Sequence, residues 1–237
     1  MLFPVLAGTA AAAGIGVSIY AAYWPESQIY GATIVAGPDP SHVALTYDDG
    51  PNPDATPQLL DALARHQVRA TFFMVGSFVK AQPGVARRVA AAGHLIGNHT
   101  LTHPNLAITS SRETRRQLAE TNNILEQTLG QKICFFRPPF GVRRPATLRI
   151  ARELGLIPVQ WNVAAKDWNP ATPQQLLVRL ERGIAKNQQR NRASNLLLHD
   201  GGHVGLGAKR MPTVEATALL LERNIRNLTF VTPEIWA

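Results

Sequence analysis

Cys134 is the only cysteine in the 237-residue chain, so no internal disulfide framework holds it and no cysteine-based zinc finger can form. Aromatic residues are few, at 7%, and no run of five or six lysines or arginines occurs. The basic-plus-aromatic pattern of a nucleic-acid-binding surface is therefore missing, and no nucleic-acid partner is expected. A dinucleotide-binding glycine fingerprint, an internal repeat and a low-complexity tract are also absent. Basic residues are missing from the first part of the chain, where the first Lys or Arg is Arg65 and nothing charged precedes Glu26.

What is present is a globular balance. Hydrophobic residues make up 45% and charged residues 17%, which excludes a disordered chain, and the length fits one large domain with or without an appendage. Net charge is +8 and the isoelectric point near 10.2. All 24 basic residues but only ten of the 16 acids lie from Arg65 onward, which leaves that part near +14. Such a surface suits anionic surroundings, acidic cell-envelope polymers among them.

Residues 1–24 carry no charge. About 20 apolar residues cross a bilayer, so the segment reads as a membrane-anchor candidate, with a cleaved signal or a buried N-terminal helix as alternatives. No Lys or Arg follows closely enough to hold the next domain in the cytoplasm. We therefore expect an anchored protein whose domain lies outside the cytoplasm, with 25–41 as a linker and 42–237 as the domain.

From residue 42, short β-branched and aromatic runs alternate with helical patterns. Strands are expected at 42–47, 70–75, 94–97, 133–136, 156–163, 195–198 and 228–231. Thr56-Pro57 and Thr172-Pro173 read as N-cap followed by first-turn proline, Ser110-x-x-Glu113 as a capping box, and Gly130 and Gly155 as helix stops. Strand and helix in alternation mean a parallel sheet, and about seven such units predict an α/β barrel.

In such a barrel the chemistry comes from the C-terminal ends of strands. The first strand ends in Asp48-Asp49-Gly50-Pro51, two carboxylates entering a turn. The third runs into His99-x3-His103; if that segment turns helically, both imidazoles share a face and can chelate one ion. Asp48 or Asp49 can supply a third ligand, leaving an open position on a divalent metal. The fourth ends at Arg137-Pro138-Pro139-Phe140, a guanidinium able to keep a carboxylate ionised. The fifth carries Trp161 and runs into Lys166-Asp167-Trp168, and the sixth delivers His199. His42, His66, His94 and His203 read as structural, and Cys134 as a small hydrophobe.

Over residues 41–232 this pattern resembles the NodB-type polysaccharide deacetylases of carbohydrate esterase family four. TYDDG at 46–50, GNHTLTH at 97–103, RPPF at 137–140, Asp167-Trp168 and Leu197-Leu198-His199 follow the family's five motifs in order. The resemblance implies a distorted (β/α)7 barrel and metal-dependent deacetylation of N-acetylated sugars, in chitin-like oligosaccharides or peptidoglycan. It implies Asp49, His99 and His103 as ligands of a divalent ion, zinc first and cobalt, nickel or manganese as substitutes. Asp48 is then the general base and His199 the general acid, with Arg137 steadying Asp48 and Asp167 tuning His199. The Phe140 N–H helps to stabilise the oxyanion, Trp161 and Leu197 line the acetyl pocket, and Trp168 faces the sugar. Two departures stand out: Phe140 replaces a tyrosine, and Ala164 stands where the fourth motif begins with Asp. A monomer is expected. The alternatives are an acetylxylan-type O-deacetylase or a non-catalytic glycan-binding barrel.

Overall fold

The computed structural model describes residues 16–223 and 228–237. Strands β1 (His42–Gly50), β2 (Thr71–Met74), β3 (Leu95–Asn98), β4 (Phe135–Phe136), β5 (Ile157–Pro158), β6 (Val163–Ala164), β7 (Ser194–His199) and β8 (Thr229–Val231) form one parallel sheet in the order β5-β4-β3-β2-β1-β7-β6. β1 is its centre. It pairs with β7 over Val43–Asp48, with β2 over Thr46–Gly50 and with β8 over His42–Ala44.

The expected distorted (β/α)7 barrel is seen as a parallel half-barrel, because among the described residues no ladder joins β5 to β6. The single strand expected at 156–163 is likewise two short strands. Pro158 supplies no N–H to a ladder, and Gln160 and Asn162 between the two strands turn their amides to other backbone carbonyls. Residues of the expected linker run along this gap. Ile34 bridges Val159 in parallel, accepting from Gln160 N and donating to Pro158 O, and Gly37 O accepts from Ala193 N.

Alternation along the strands sorts the two faces. Val43, Leu45, Tyr47, Phe72 and Met74 belong to the main buried cluster with Leu59, Leu63, Leu118, Leu125, Leu177, Leu180 and Leu220 of the helices. Counting the helix over residues 16–23 as α1, those helices are α2 (Ala55–Arg65), α3 (Gly76–Ala81), α4 (Pro83–Ala91), α5 (Ser111–Leu129), α6 (Pro145–Glu153), α7 (Pro173–Gln188) and α8 (Met211–Arg223). A second, smaller cluster holds Phe73, Phe135 and Val159, with Ile34 and the partly buried Cys134 packed on it.

The helix punctuation is partly as expected. Thr172 and Gln175 form a full capping box on α7, and Gly130 ends α5 in the left-handed conformation (φ 68°). Ser110 accepts from the Glu113 N–H, but the Glu113 carboxylate turns to Arg116 and Gln117, so the reciprocal half of that box is not made. Thr56 is not an N-cap. α2 begins two residues earlier, with Asp54 at the N-cap position, Asn52 Oδ1 takes the N–H groups of Asp54 and Ala55, and the Thr56 hydroxyl turns inward to Asp200.

The expected apolar helix over 1–24 lies mostly outside the described residues. Residues 16–23 are helical, and among the described residues no helix is long and apolar enough to cross a membrane. Val17, Ile19, Tyr20, Tyr23 and Trp24 are exposed, while Ala21 and Ala22 are buried. The chain beyond is clamped by Arg143. Its fully buried guanidinium donates to the carbonyls of Ala22, Trp24, Pro25, Ser27 and Gly141, at 2.6 to 3.4 Å. Arg143→Met keeps the apolar stem and orphans these acceptors. It should lower unfolding free energy by about 2–4 kcal/mol and expose 22–27 to protease; an unchanged melting temperature and cleavage pattern would contradict the clamp.

Candidate active site

Adjacent residues of a regular strand point to opposite faces, so Asp48 and Asp49 can share a site only if the strand is broken between them. It is broken. Asp48 stands opposite Phe73 and Gly50 opposite Met74, so Asp49 is the extra residue of a bulge, at φ 70°. Gly50 and Gly201 allow the close approach this needs, since a Cβ on Gly201 would fall 1.9 Å from Asp49 O.

The two carboxylates consequently meet different partners. Asp48 Oδ1 accepts from Arg137 Nη1 at 2.9 Å. Asp49 Oδ1 lies 3.4 Å from His99 Nε2 and 3.2 Å from His103 Nε2, buried and without a hydrogen-bond donor. The choice of third donor left open by spacing thus falls on Asp49. Asp49, His99 and His103 bring one donor atom each within 4.8 Å of one another, an arrangement that could hold a metal ion.

The histidine segment is not a helical turn, contrary to the premise of its i, i+4 reading. It is a loop with Thr100 and His103 at positive φ (68° and 56°), fastened from below. Asn98 Oδ1 accepts from Thr100 N, Gln117 Oε1 from Leu101 N and Thr102 N, and Thr100 Oγ1 from His103 N. His99 Nδ1 donates to Arg137 O at 2.8 Å, which leaves Nε2 as the free lone pair. Burial, with His99 alongside, pushes the His103 pKa down to about 3, so this imidazole is neutral near pH 7. Burial opposes the charge on Asp49, but the neighbouring imidazole of His99, with those of His103 and His199 beyond, holds its pKa well below the carboxylate range. An ionised carboxylate with two imidazole nitrogens is a fitting donor set for a divalent ion.

Arg137 is fully buried under the site. Its Nη1 also donates to Thr46 Oγ1 (2.7 Å), its Nη2 to Gln160 O (3.0 Å) and its Nε to Val159 O (3.4 Å), and its face covers the Phe73 ring at 4.3 Å. Gly97 makes room for that ring, because a Cβ there would meet it at 2.4 Å.

On the opposite wall, His199 Nδ1 lies 2.8 Å from Asp167 Oδ1. Asp167 Oδ2 accepts from His199 N and Thr213 Oγ1, and Arg210 donates to Asp167 O and Gly201 O. Burial disfavours the imidazolium, but the Asp167 charge and hydrogen bond, with Asp49 and Asp48 further off, carry the His199 pKa above its ordinary value. Burial likewise opposes the Asp167 charge, and His199 reverses it, so that carboxyl titrates lower than usual. Asp200, next along, is buried and pushed up to about 7.

Asp48, Asp49, His99, His103 and His199 border a cavity of about 860 Å³, also lined by Phe140, Trp161, Leu197, Trp168 and His203. The half-exposed Phe140 sits at φ 57° with its ring edge-on to His103 (4.6 Å), and Trp168 is edge-on to His199 (5.4 Å). Ala164 lies in β6, opposite Leu197. His94 accepts from Ala70 N and packs on Phe72, away from the cavity. His203, read as structural from its spacing, is instead on the cavity wall. Thr46, which supports the site, opens the TYDDG motif, but Phe73, Gln117, Gln160 and Thr213 carry no motif of their own; their one sequence signal is a polar residue, or a ring opposite a glycine, where a strand or helix turns inward.

Residues 36–159 match the family model described as polysaccharide deacetylase. Among curated relatives, a peptidoglycan-N-acetylglucosamine deacetylase of Bacillus cereus is 42% identical over 146 residues, 61% of this chain and 52% of that protein. A chitooligosaccharide deacetylase of Rhizobium leguminosarum bv. trifolii is 42% identical over 134 residues, 56% and 62% of the two chains. The chain thus spans roughly half to three-fifths of the length of these relatives. Among solved structures, wild-type BA3943, a CE4 family pseudoenzyme from Bacillus anthracis, superposes with TM-score 0.73 at 30% identity, over 84% of this chain and 67% of that one.

The Asp167 pairing has a measurable consequence. A carboxylate beside imidazolium favours the protonated form, so removing it must lower the pKa. In an NMR titration the His199 imidazole should lose its proton above about pH 6.5 in the parent chain, and at lower pH in Asp167→Asn. A shift upward, or none, would break the assignment.

Proposed function

This chain belongs to the polysaccharide deacetylase family, and from that premise we propose that it is a metal-dependent hydrolase removing acetyl groups from N-acetylated sugars of a chitin-like oligosaccharide or peptidoglycan. The observation that carries the reading is Asp49 Oδ1, buried, without a donor and placed between His99 and His103, with a held carboxylate on one side and a held imidazole on the other.

An acetamide is a weak electrophile with a poor leaving group, so its hydrolysis needs a base, an acid and charge stabilisation together. Asp49, His99 and His103 would hold the divalent ion, zinc by preference for two imidazoles and a carboxylate. When bound, such an ion supplies Lewis acidity toward water and the acetyl carbonyl. Asp48 accepts the proton of the attacking water, and Arg137, donating to its Oδ1, keeps it aimed. His199 delivers a proton to the departing amine, and Asp167 raises its pKa, which favours the protonated form. The Phe140 N–H is the protein's donor to the oxyanion. Trp161 and Leu197 enclose the acetyl methyl, and Trp168 offers a face to the sugar ring. Phe140, lacking a hydroxyl, and Ala164, lacking a carboxylate, touch neither the donor set nor the acid and base; they bear on substrate preference.

Acetate release from chitooligosaccharides, peptidoglycan fragments and acetylxylan tests this. We expect release from an N-acetylated substrate that chelator abolishes, and that falls by about 10²- to 10⁴-fold in Asp48→Asn and in His199→Ala. Release only from acetylxylan would replace the amide by an ester. Silence across the panel in metal-loaded protein would favour a glycan-binding barrel without turnover, the second reading, which the likeness to a pseudoenzyme fold keeps alive.

We also place the domain outside the cytoplasm, held at a membrane through residues 1–24 and acting as a monomer. The uncharged stretch before Glu26, the late first basic residue and the basic remainder support this. A topology reporter fused after Val231 should be active only outside the cytoplasm; cytoplasmic activity alone would overturn the placement.

A further inference from the structure

None of the roles above uses His203, yet it is part of the site. Its ring stacks on His103 with centroids 4.7 Å apart and planes at 21°, and it meets the Phe140 ring edge-on at 5.5 Å. Its Nδ1 lies 4.0 Å from Asp49 Oδ2, and the side chain is 47% exposed. The other Asp49 oxygen faces His99 and His103. Among the described residues, the groups able to carry positive charge within 4.0 Å of this carboxylate are these three imidazoles. Two of them are claimed by the donor set. A ligand carboxylate with an unheld second oxygen can rotate away from its metal, and metal ligands are commonly fixed by hydrogen bonds from a second layer of residues. Asp49 has particular need of such support, because it sits at φ 70° in a bulge.

We propose that His203 is the positioning residue of the metal centre, its Nδ1–H donating to Asp49 Oδ2 so that Oδ1 stays aimed at the ion, while its ring and that of Phe140 roof the open side of His103. This rests on the reading of Asp49, His99 and His103 as ligands. Closing 4.0 Å to hydrogen-bond distance takes a movement of about 1 Å. The base of the His203 loop is pinned by Gly201 against the Asp49 main chain, while Gly205 and Gly207 on the far side of His203 have open space around them. Phe140 and His203 are in ring contact, so the roof is made of two side chains from different loops, and no motif shared with the family accounts for the histidine.

The test is zinc titration of the chelator-stripped chain by calorimetry, with a parallel cobalt titration followed by visible absorption. His203→Ala should weaken zinc binding about 10- to 100-fold, and His203→Gln, which keeps a side-chain N–H, should recover most of it. The cobalt spectrum of loaded His203→Ala should keep the parent's band positions, since the ligand atoms are unchanged. A His203→Ala affinity within about twofold of the parent, in protein of unchanged melting temperature, would overturn the proposal. A cobalt spectrum that loses a nitrogen ligand would also overturn it, by making His203 a direct ligand. If the parent itself binds neither metal, the reading of the ligand set fails and the proposal with it. Parent binding with an indifferent His203→Ala sinks the proposal alone.

Discussion

The buried charge of Arg137 is the constraint around which the half-barrel is arranged. Taking a guanidinium out of water costs several kcal/mol unless its donors and its charge are met inside. They are met from several strands or strand ends. Thr46 and Asp48 come from β1, Val159 and Gln160 from the turn after β5, and Phe73 of β2 supplies a ring under the flat face. The Thr46 hydroxyl donates in turn to Leu196 O in β7, and Asn195 of β7 donates to the same Gln160 carbonyl that Arg137 uses. A strand shifted by one residue would remove one of these partners and strand a charge. The register of β1, β2 and β7 is therefore tied to the position of Asp48, and the Arg137 main chain, through its carbonyl, also sets the tautomer of His99.

From that fixed point the site separates groups that would otherwise behave alike. Two neighbouring aspartates take different surroundings because a bulge lies at the second: Asp48 receives a guanidinium, Asp49 two imidazoles. Two histidines are likewise driven apart. Burial beside another imidazole holds His103 neutral, suited to donating a lone pair, whereas Asp167 holds His199 toward its charged form, suited to giving up a proton. The opposed shifts follow from which loop carries which neighbour, and this is the ordinary way in which one pocket keeps an acid and a ligand of the same residue type.

Much of this was readable in advance where the signal is local. Strand tips ending in Asp48-Asp49, His99, Arg137 and His199 follow from apolar runs cut by polar residues, and Thr172 and Gly130 mark helix ends because capping chemistry acts within four residues. What escaped depends on distant partners. Thr56 looks like a cap, but its hydroxyl is taken by Asp200, 144 residues away, so Asn52 caps instead. The His99 loop looks helical by spacing, but Gln117 of α5 supplies the acceptor that holds it open. Residues 25–41 look like a linker by composition, but Ile34 finds Val159 and Arg143 finds five carbonyls at 22–27 and 141. His203 has no partner at ligand spacing because its partners, His103 and Asp49, are about 100 and 150 residues earlier.

The same division appears in where backbone strain is placed. Non-glycine residues with positive φ are uncommon and cost of order 1 kcal/mol or more each. Asp49, Thr100, His103, Phe140 and Lys166, five of the seven among the described residues, line the cavity or lie within two residues of its lining. Nothing in the apolar layer between sheet and helices requires them. That layer, with Tyr47, Phe72, Leu118, Leu180 and their neighbours, is packed from residues in ordinary helical and extended conformations. The outer face of the sheet carries the hydrophobic stabilisation, and the inner face and its rim spend part of it on a buried charge, unpartnered polar atoms and strained loops. The outer layer can thus vary for packing while Arg137, Asp48 and the loops around Asp49 stay as they are. Conversely, the inner face can lose its chemistry while the fold persists.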